Sequence, residues 1–248
     1  MMAEVDQQNA TPRTWLEWAR EGSRYMVRAV DSVSDEELSE PTLLPGWSRN
    51  MLIAHLGYNA LAVRRLTEWG RTGVENRMYA TDRQRQEEID SGATMSGAEL
   101  RELVHTAVAQ LDAAWEGLDN AAWGAMVVSA QGRDIPVSET AWMRAKEVWV
   151  HTIDLDKGGS FRDFPAPMLT DLIDDVQAKW RLRSETPNIT IEVTDRPGTA
   201  YEHLEIGKGG PLVRATAADM AQWLTGRGYR QLSVLEAPMG VPNIPRWF

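Results

Sequence analysis

Residues 138–156 read SETAWMRAKEVWVHTIDLD, a run with no glycine or proline and with apolar residues on several sides. Such a stretch has the length and composition of a helix packed on both flanks. Arg144, Glu147, His151 and Asp154 follow one another at intervals of three or four, so a helix lines them up in one polar stripe beside Val148 and Leu155. The stripe itself could be solvated. Trp142, Trp149, Val150 and Ile153 make full exposure of the helix unfavourable.

Upstream, three more stretches have helical spacing. TPRTWLEWAREGSRYMVRAVDSV (11–33) opens on a Thr–Pro entry signal. SRNMLIAHLGYNALAVRRLTEWG (48–70) offers Ser48 as N-cap and Gly70 near its stop. SGAELRELVHTAVAQLDAAWEGL (96–118) places Ser96 and Glu99 at capping-box spacing. Between them, SDEELSEPTLLPGW (34–47) reads as a connector and 74–95 as a polar segment, while AMVVSAQGRDIPV (125–137) suits an irregular hairpin or an extended loop. Four amphipathic helices, the last ending near Gly158 and Gly159, predict a four-helix bundle.

The pattern changes at KGGSFRDFPAP (157–167), where a domain boundary is expected: a bundle over 1–163 and a small α/β domain over 164–248. APMLTDLIDDVQAKWRLR (166–183) is helical, NITIEVTD (188–195) alternates like a strand, and RPGTAYEHLEIGKGGPLVRAT (196–216) carries short extended pieces between turns. A helix capped by Thr216 and leaving through glycines, then a strand in RQLSVLEA (230–237), complete a mainly α chain with an α/β tail.

Composition narrows the chemistry. With 248 residues, 43% of them hydrophobic, the chain can bury a real core. Its formal charge of −10 disfavours nucleic-acid binding, and no apolar run is long enough to span a bilayer. With no signal peptide evident, a cytoplasmic protein without a membrane partner is expected. There is no Cys, so a metal would need His and carboxylate ligands, and any thiol chemistry would need a borrowed thiol.

Of four histidines, His55 shares a helix face with Leu52, Leu56 and Asn59, pointing with the core leucines. Facing Glu147 and His151 across a bundle, it would complete a two-imidazole, one-carboxylate set of the kind zinc uses when it keeps a position open. By spacing alone a hydrogen-bonded core histidine is the commoner case, and a Glu and His four apart recur by chance. His105 reads as structural, His203 as solvated, and most of the 11 tryptophans as packing.

LLPGWSRNMLIAHLGYNAL (43–61), SETAWMRAKEVWVHTIDL (138–155), WLTGRG (223–228) and VPNIPRWF (241–248) together resemble the mycothiol-dependent maleylpyruvate isomerase family, whose metal domain is a DinB-like bundle. The resemblance implies zinc held by His55, Glu147 and His151, and a catalytic arginine at Arg227, reaching from the second domain to the bundle site. Otherwise Arg227 reads as a helix C-terminal cap. It also implies mycothiol as cofactor, a monomer whose only partners are a small-molecule substrate and a low-molecular-weight thiol, and isomerisation of maleylpyruvate to fumarylpyruvate. Arg144, one turn before Glu147, could orient a ligand or form an ordinary ion pair. Another mycothiol-dependent transferase on the same bundle, or a non-enzymatic binding module, are the competing expectations. Residues 74–95 and 183–210 match no motif of the family.

Overall fold

The computed structural model describes residues 11–235 and 240–247. The last two residues of the strand expected over 230–237, and Phe248 of the final motif, lie outside them, as do the first ten residues. The chain divides into two units, one over Thr11–Gly159 and one that begins at Ser160.

In the first unit, α1 (Pro12–Asp31) starts where Thr11 accepts from the Thr14 backbone N–H. It buries Trp18, Gly22, Met26 and Val30, one residue per turn, and packs chiefly against α6 (Glu139–Asp154). Gly22 permits that approach. A Cβ there would stand 2.6 Å from the Trp149 indole nitrogen and from Val148 Cγ2. Helix α2 (Arg49–Thr72) packs on α4 (Gly97–Glu116), which opens on the capping box of Ser96 and Glu99.

Several local expectations change. Ser48 occupies the N-cap of α2, but its hydroxyl bonds the Asn50 side chain at 2.5 Å instead of a backbone amide. Gly70 does not end α2. It lies inside the helix against Val137, whose Cγ2 would meet an added Cβ at 2.2 Å, and the exit is Gly73 in the left-handed conformation. The last bundle helix ends at Asp154, ahead of the glycine pair, because Asp156 and Gly158 both turn the backbone to positive φ. Residues 125–137 form a hairpin, β1 (Met126–Val128) antiparallel to β2 (Asp134–Pro136), which buries Val127 and Ile135. The polar segment 74–95 contains a short helix, α3 (Gln84–Gly92), laid on α2. A further turn of helix, α5 (Asn120–Gly124), is capped by Asp119.

The second unit carries α7 (Ala166–Arg183), β3 (Ile189–Val193), β4 (Leu204–Ile206), β5 (Leu212–Ala215), α8 (Ala217–Leu224) and β6 (Ser233–Leu235). The sheet order is β4-β3-β5-β6, with β3 and β5 parallel and both flanking pairs antiparallel. Ile189, Ile191 and Val193 of the inner strand are buried. The 3-10 turn Phe161–Asp163 packs on α8, and Phe161 stacks on Phe164 at 4.7 Å, so this turn sits with the α/β unit. Trp180, fully buried on α7, donates its indole N–H to the Pro245 carbonyl at 3.0 Å and ties the tail down. No helix among the described residues is long and apolar enough to cross a membrane.

Candidate metal centre

Two helices meet at the site, and specific contacts fix their register. Arg49, buried at the start of α2, donates Nε–H to the Leu155 carbonyl at 2.9 Å just past the end of α6. A cation is favourable at that helix end, where carbonyls lack internal partners. Leu43 N–H bonds the Asp154 carbonyl at 2.9 Å. Deeper in, Arg144 of α6 donates Nη1–H to the Leu56 carbonyl at 3.0 Å and to Asn59 Oδ1 at 2.8 Å, both on α2.

This register carries His55 of α2 to Glu147 and His151 of α6. The His55 Nε2–Glu147 Oε1 distance is 2.5 Å and the His151 Nε2–Glu147 Oε1 distance is 3.4 Å. The imidazole rings stand nearly perpendicular, 5.4 Å apart. Asp154 is fully buried and accepts from His151 Nδ1 at 2.8 Å, which leaves Nε2 turned to the site. The polar stripe therefore faces the interior: Arg144 and Asp154 are both wholly buried.

Burial pushes the His55 pKa down, against the pull of Glu147. Burial also disfavours a charge on His151, but the Glu147 charge and the bond to Asp154 outweigh it and raise His151 to about 9. Glu147 is opposed by burial too, yet the charge of His151 and hydrogen bonds from both imidazoles hold its carboxyl well below the ordinary range. The Arg144 guanidinium falls to about 10 through burial. It makes no ion pair with Glu147, so the ion-pair expectation for it gives way to hydrogen bonding with α2. Its Nε and Nη2 meet no acceptor among the described residues.

The donor set fits a divalent ion. His55, Glu147 and His151 each present one ligand atom, and these atoms all lie within 4.8 Å of one another. Small side-chain shifts bring such a set onto one ion bonded at about 2 Å, and two imidazoles with one carboxylate is a set zinc accepts.

The profile of the family described as the mycothiol maleylpyruvate isomerase N-terminal domain matches residues 19–156, the stretch that holds all three side chains. The chain belongs to this family. A crystal structure of the mycothiol-dependent maleylpyruvate isomerase is 34% identical, with a TM-score of 0.88 over 96% of this chain and 98% of that one. A histidine-to-alanine mutant of that isomerase gives 33% identity and the same TM-score and coverage. YfiT from Bacillus subtilis, described as a probable metal-dependent hydrolase with an unusual four-helix bundle topology, is 13% identical with a TM-score of 0.50 over 60% of this chain and 88% of its own. At that identity it speaks for the bundle fold alone. No curated protein sequence matches.

The other residues singled out by the sequence fall where their local contacts put them. Arg227 lies in the turn after α8, between Gly226 and Gly228, both at positive φ. It donates Nη1–H to the Thr225 carbonyl at 2.7 Å, as a C-terminal cap would, and its guanidinium stands 5.8 Å from the Trp247 ring. His105 pairs with Asp31 at 2.9 Å on the surface, and His203 is exposed. Reading the residues alone missed Trp47, Tyr79 and Arg85. Trp47 meets the His55 ring edge-on at 5.7 Å, and the Glu147 charge, after burial, helps push Tyr79 up to about 12. Only Trp47 stood in a recognisable motif, and there it read as packing.

Proposed function

We propose that this chain isomerises maleylpyruvate to fumarylpyruvate, with mycothiol as thiol cofactor and a zinc ion held by His55, Glu147 and His151. The observation that carries the reading is the convergence of those three ligand atoms in a chain 34% identical to an isomerase of this name. A protein without Cys also has no thiol of its own to use.

Zinc, when bound, supplies a Lewis acid that keeps a thiol ionised, and mycothiol supplies a sulfur for reversible addition to the activated alkene, whose carbon–carbon bond is then free to rotate. The chain's own residues do the rest. His55, Glu147 and His151 furnish three ligands and leave the ion an open position. Asp154 holds the proton on His151 Nδ1, so that Nε2 is free to coordinate. Arg227 is the group we assign to the carboxylate or enolate of the substrate, since a guanidinium offers two parallel donors to a planar oxyanion. A cytoplasmic monomer with no nucleic-acid or membrane partner completes the reading, in keeping with the acidic charge.

The test is thiol dependence. Maleylpyruvate incubated with the zinc-loaded protein and mycothiol should give fumarylpyruvate with the thiol recovered, and glutathione should substitute poorly. Equal rates with any thiol would remove mycothiol from the account. Accumulation of a stable thiol adduct would point to a transferase instead.

A further inference from the structure

The segment between α2 and α4 carries no motif of the family, yet it borders the metal centre. Its helix α3 is anchored on α2. Gly92 lies so close that an added Cβ would be 2.4 Å from Ala54 Cβ, and Glu88 pairs with Arg65 at 3.0 Å. Asn50 of α2 donates to the Ala93 carbonyl at 2.8 Å, and Ile89 is buried beneath. The backbone that bears Arg85 is thereby held in place.

Arg85 points its guanidinium over the face of Trp47, 5.9 Å from the ring centroid, and Trp47 in turn meets His55 edge-on at 5.7 Å. Its charge bears on both His55 and Tyr79. Arg85 is exposed and makes no ion pair with any described residue, although Glu88 lies one turn away: Glu88 turns inward, its Oε1 accepting from Arg65 and Gln84 and its Oε2 buried. A cation resting on an aromatic face is held without spending its N–H donors. The result is a positioned guanidinium with free donors, one aromatic ring away from His55, on a chain whose formal charge is −10. On such a chain a dianion approaches against the overall field, and a local unpaired cation offsets that repulsion.

We propose that Arg85, seated on Trp47, binds a carboxylate of the dicarboxylate substrate at the metal centre. The identity of the substrate rests on the isomerase reading above; the carboxylate site does not. Arg85 acts here in binding.

The zinc-loaded full-length protein and its Arg85→Gln and Arg85→Lys variants are compared in two ways. By calorimetry with maleate, a simple cis-dicarboxylate, Arg85→Gln should bind about tenfold or more weakly. Arg85→Lys should recover part of the loss, with zinc content equal in all three. In the mycothiol assay the greater part of the Arg85→Gln effect should fall on the KM for maleylpyruvate, leaving that for mycothiol unmoved. Equal maleate affinity in wild type and Arg85→Gln, or no maleate binding by the wild type, overturns the proposal. So does an effect confined to the KM for mycothiol. If maleate binding drops in Arg85→Gln but the wild type does not isomerise maleylpyruvate, Arg85 stands and the isomerase reading falls.

Discussion

Asp154 accepts the Nδ1 proton of His151 from a wholly buried position, so Asp154→Asn replaces a charged acceptor with a neutral amide at the same place. Loss of such an outer partner typically costs about 10–100-fold in metal affinity. A zinc competition titration should show a fall of that order, whereas His55→Ala should remove zinc altogether; full occupancy in the His55 variant would break the ligand assignment. The histidine pair also fixes a pH dependence. In the metal-free chain the His151 pKa is raised from 6.5 to about 9, so its pairing with Glu147 contributes stability in full below about 6.5. That contribution is lost as pH rises through about 9. Thermal melts of metal-free protein should fall across that window, and the fall should shrink in His151→Gln. Zinc uptake at neutral pH must displace the same proton, and calorimetry in buffers of different ionisation enthalpy should count about one released per ion. The residue pattern put Glu147 and His151 on one helix face, since residues at i and i+4 share it, but left a metal and a plain core contact both open until the family resemblance was added. It could not show that Asp154 was buried or that Arg144 would bond α2, because burial depends on the partner helix.

At the scale of elements, helix existence was legible and helix ends were less so. The Thr11–Pro12 entry and the Ser96–Glu99 box work locally, between residues three apart, and the structure contains both. Gly70 stands near the stop of α2, as its spacing suggests, but glycine serves two ends, a left-handed exit or a close approach, and only Val137 across the gap shows that Gly70 serves the second and Gly73 the first. Helix α3 went unseen because its burial rests on few residues, Ile89 and Gly92 among them. That sparse contact makes a prediction. Gly92→Ala forces a methyl against Ala54 and should destabilise the chain by about 1–3 kcal/mol in denaturant unfolding. By displacing α3 it should also weaken maleate binding without lowering zinc content, a combination that a change in the ligand helices would not give.

For the molecule as a whole, the proposed ligand set and Arg227 belong to different units, each with its own buried core. Arg227→Ala should therefore retain one equivalent of zinc while losing turnover. Trp247 sits under the Arg227 guanidinium and is itself pinned by its indole N–H to Asp175 Oδ2 at 2.9 Å. Trp247→Leu should lower turnover in the same direction by a smaller factor, again with zinc intact. Steady-state kinetics beside metal analysis separates these cases. If zinc content fell with either variant, the division of labour between the units would be wrong.

By itself the sequence determined the mainly α architecture, the helical faces that carry His55, Glu147 and His151, and the need for a borrowed thiol if sulfur takes part. Those follow from periodicity, local capping and composition, which act within a few residues along the chain. Only the tertiary structure decided that the stripe on α6 faces inward, that Arg144 spans to α2 instead of pairing with Glu147, and that Trp47 packs edge-on against His55 with Arg85 over its face. Each of these joins residues distant in sequence, and their contacts exist only once helix packing has brought separate elements to one place.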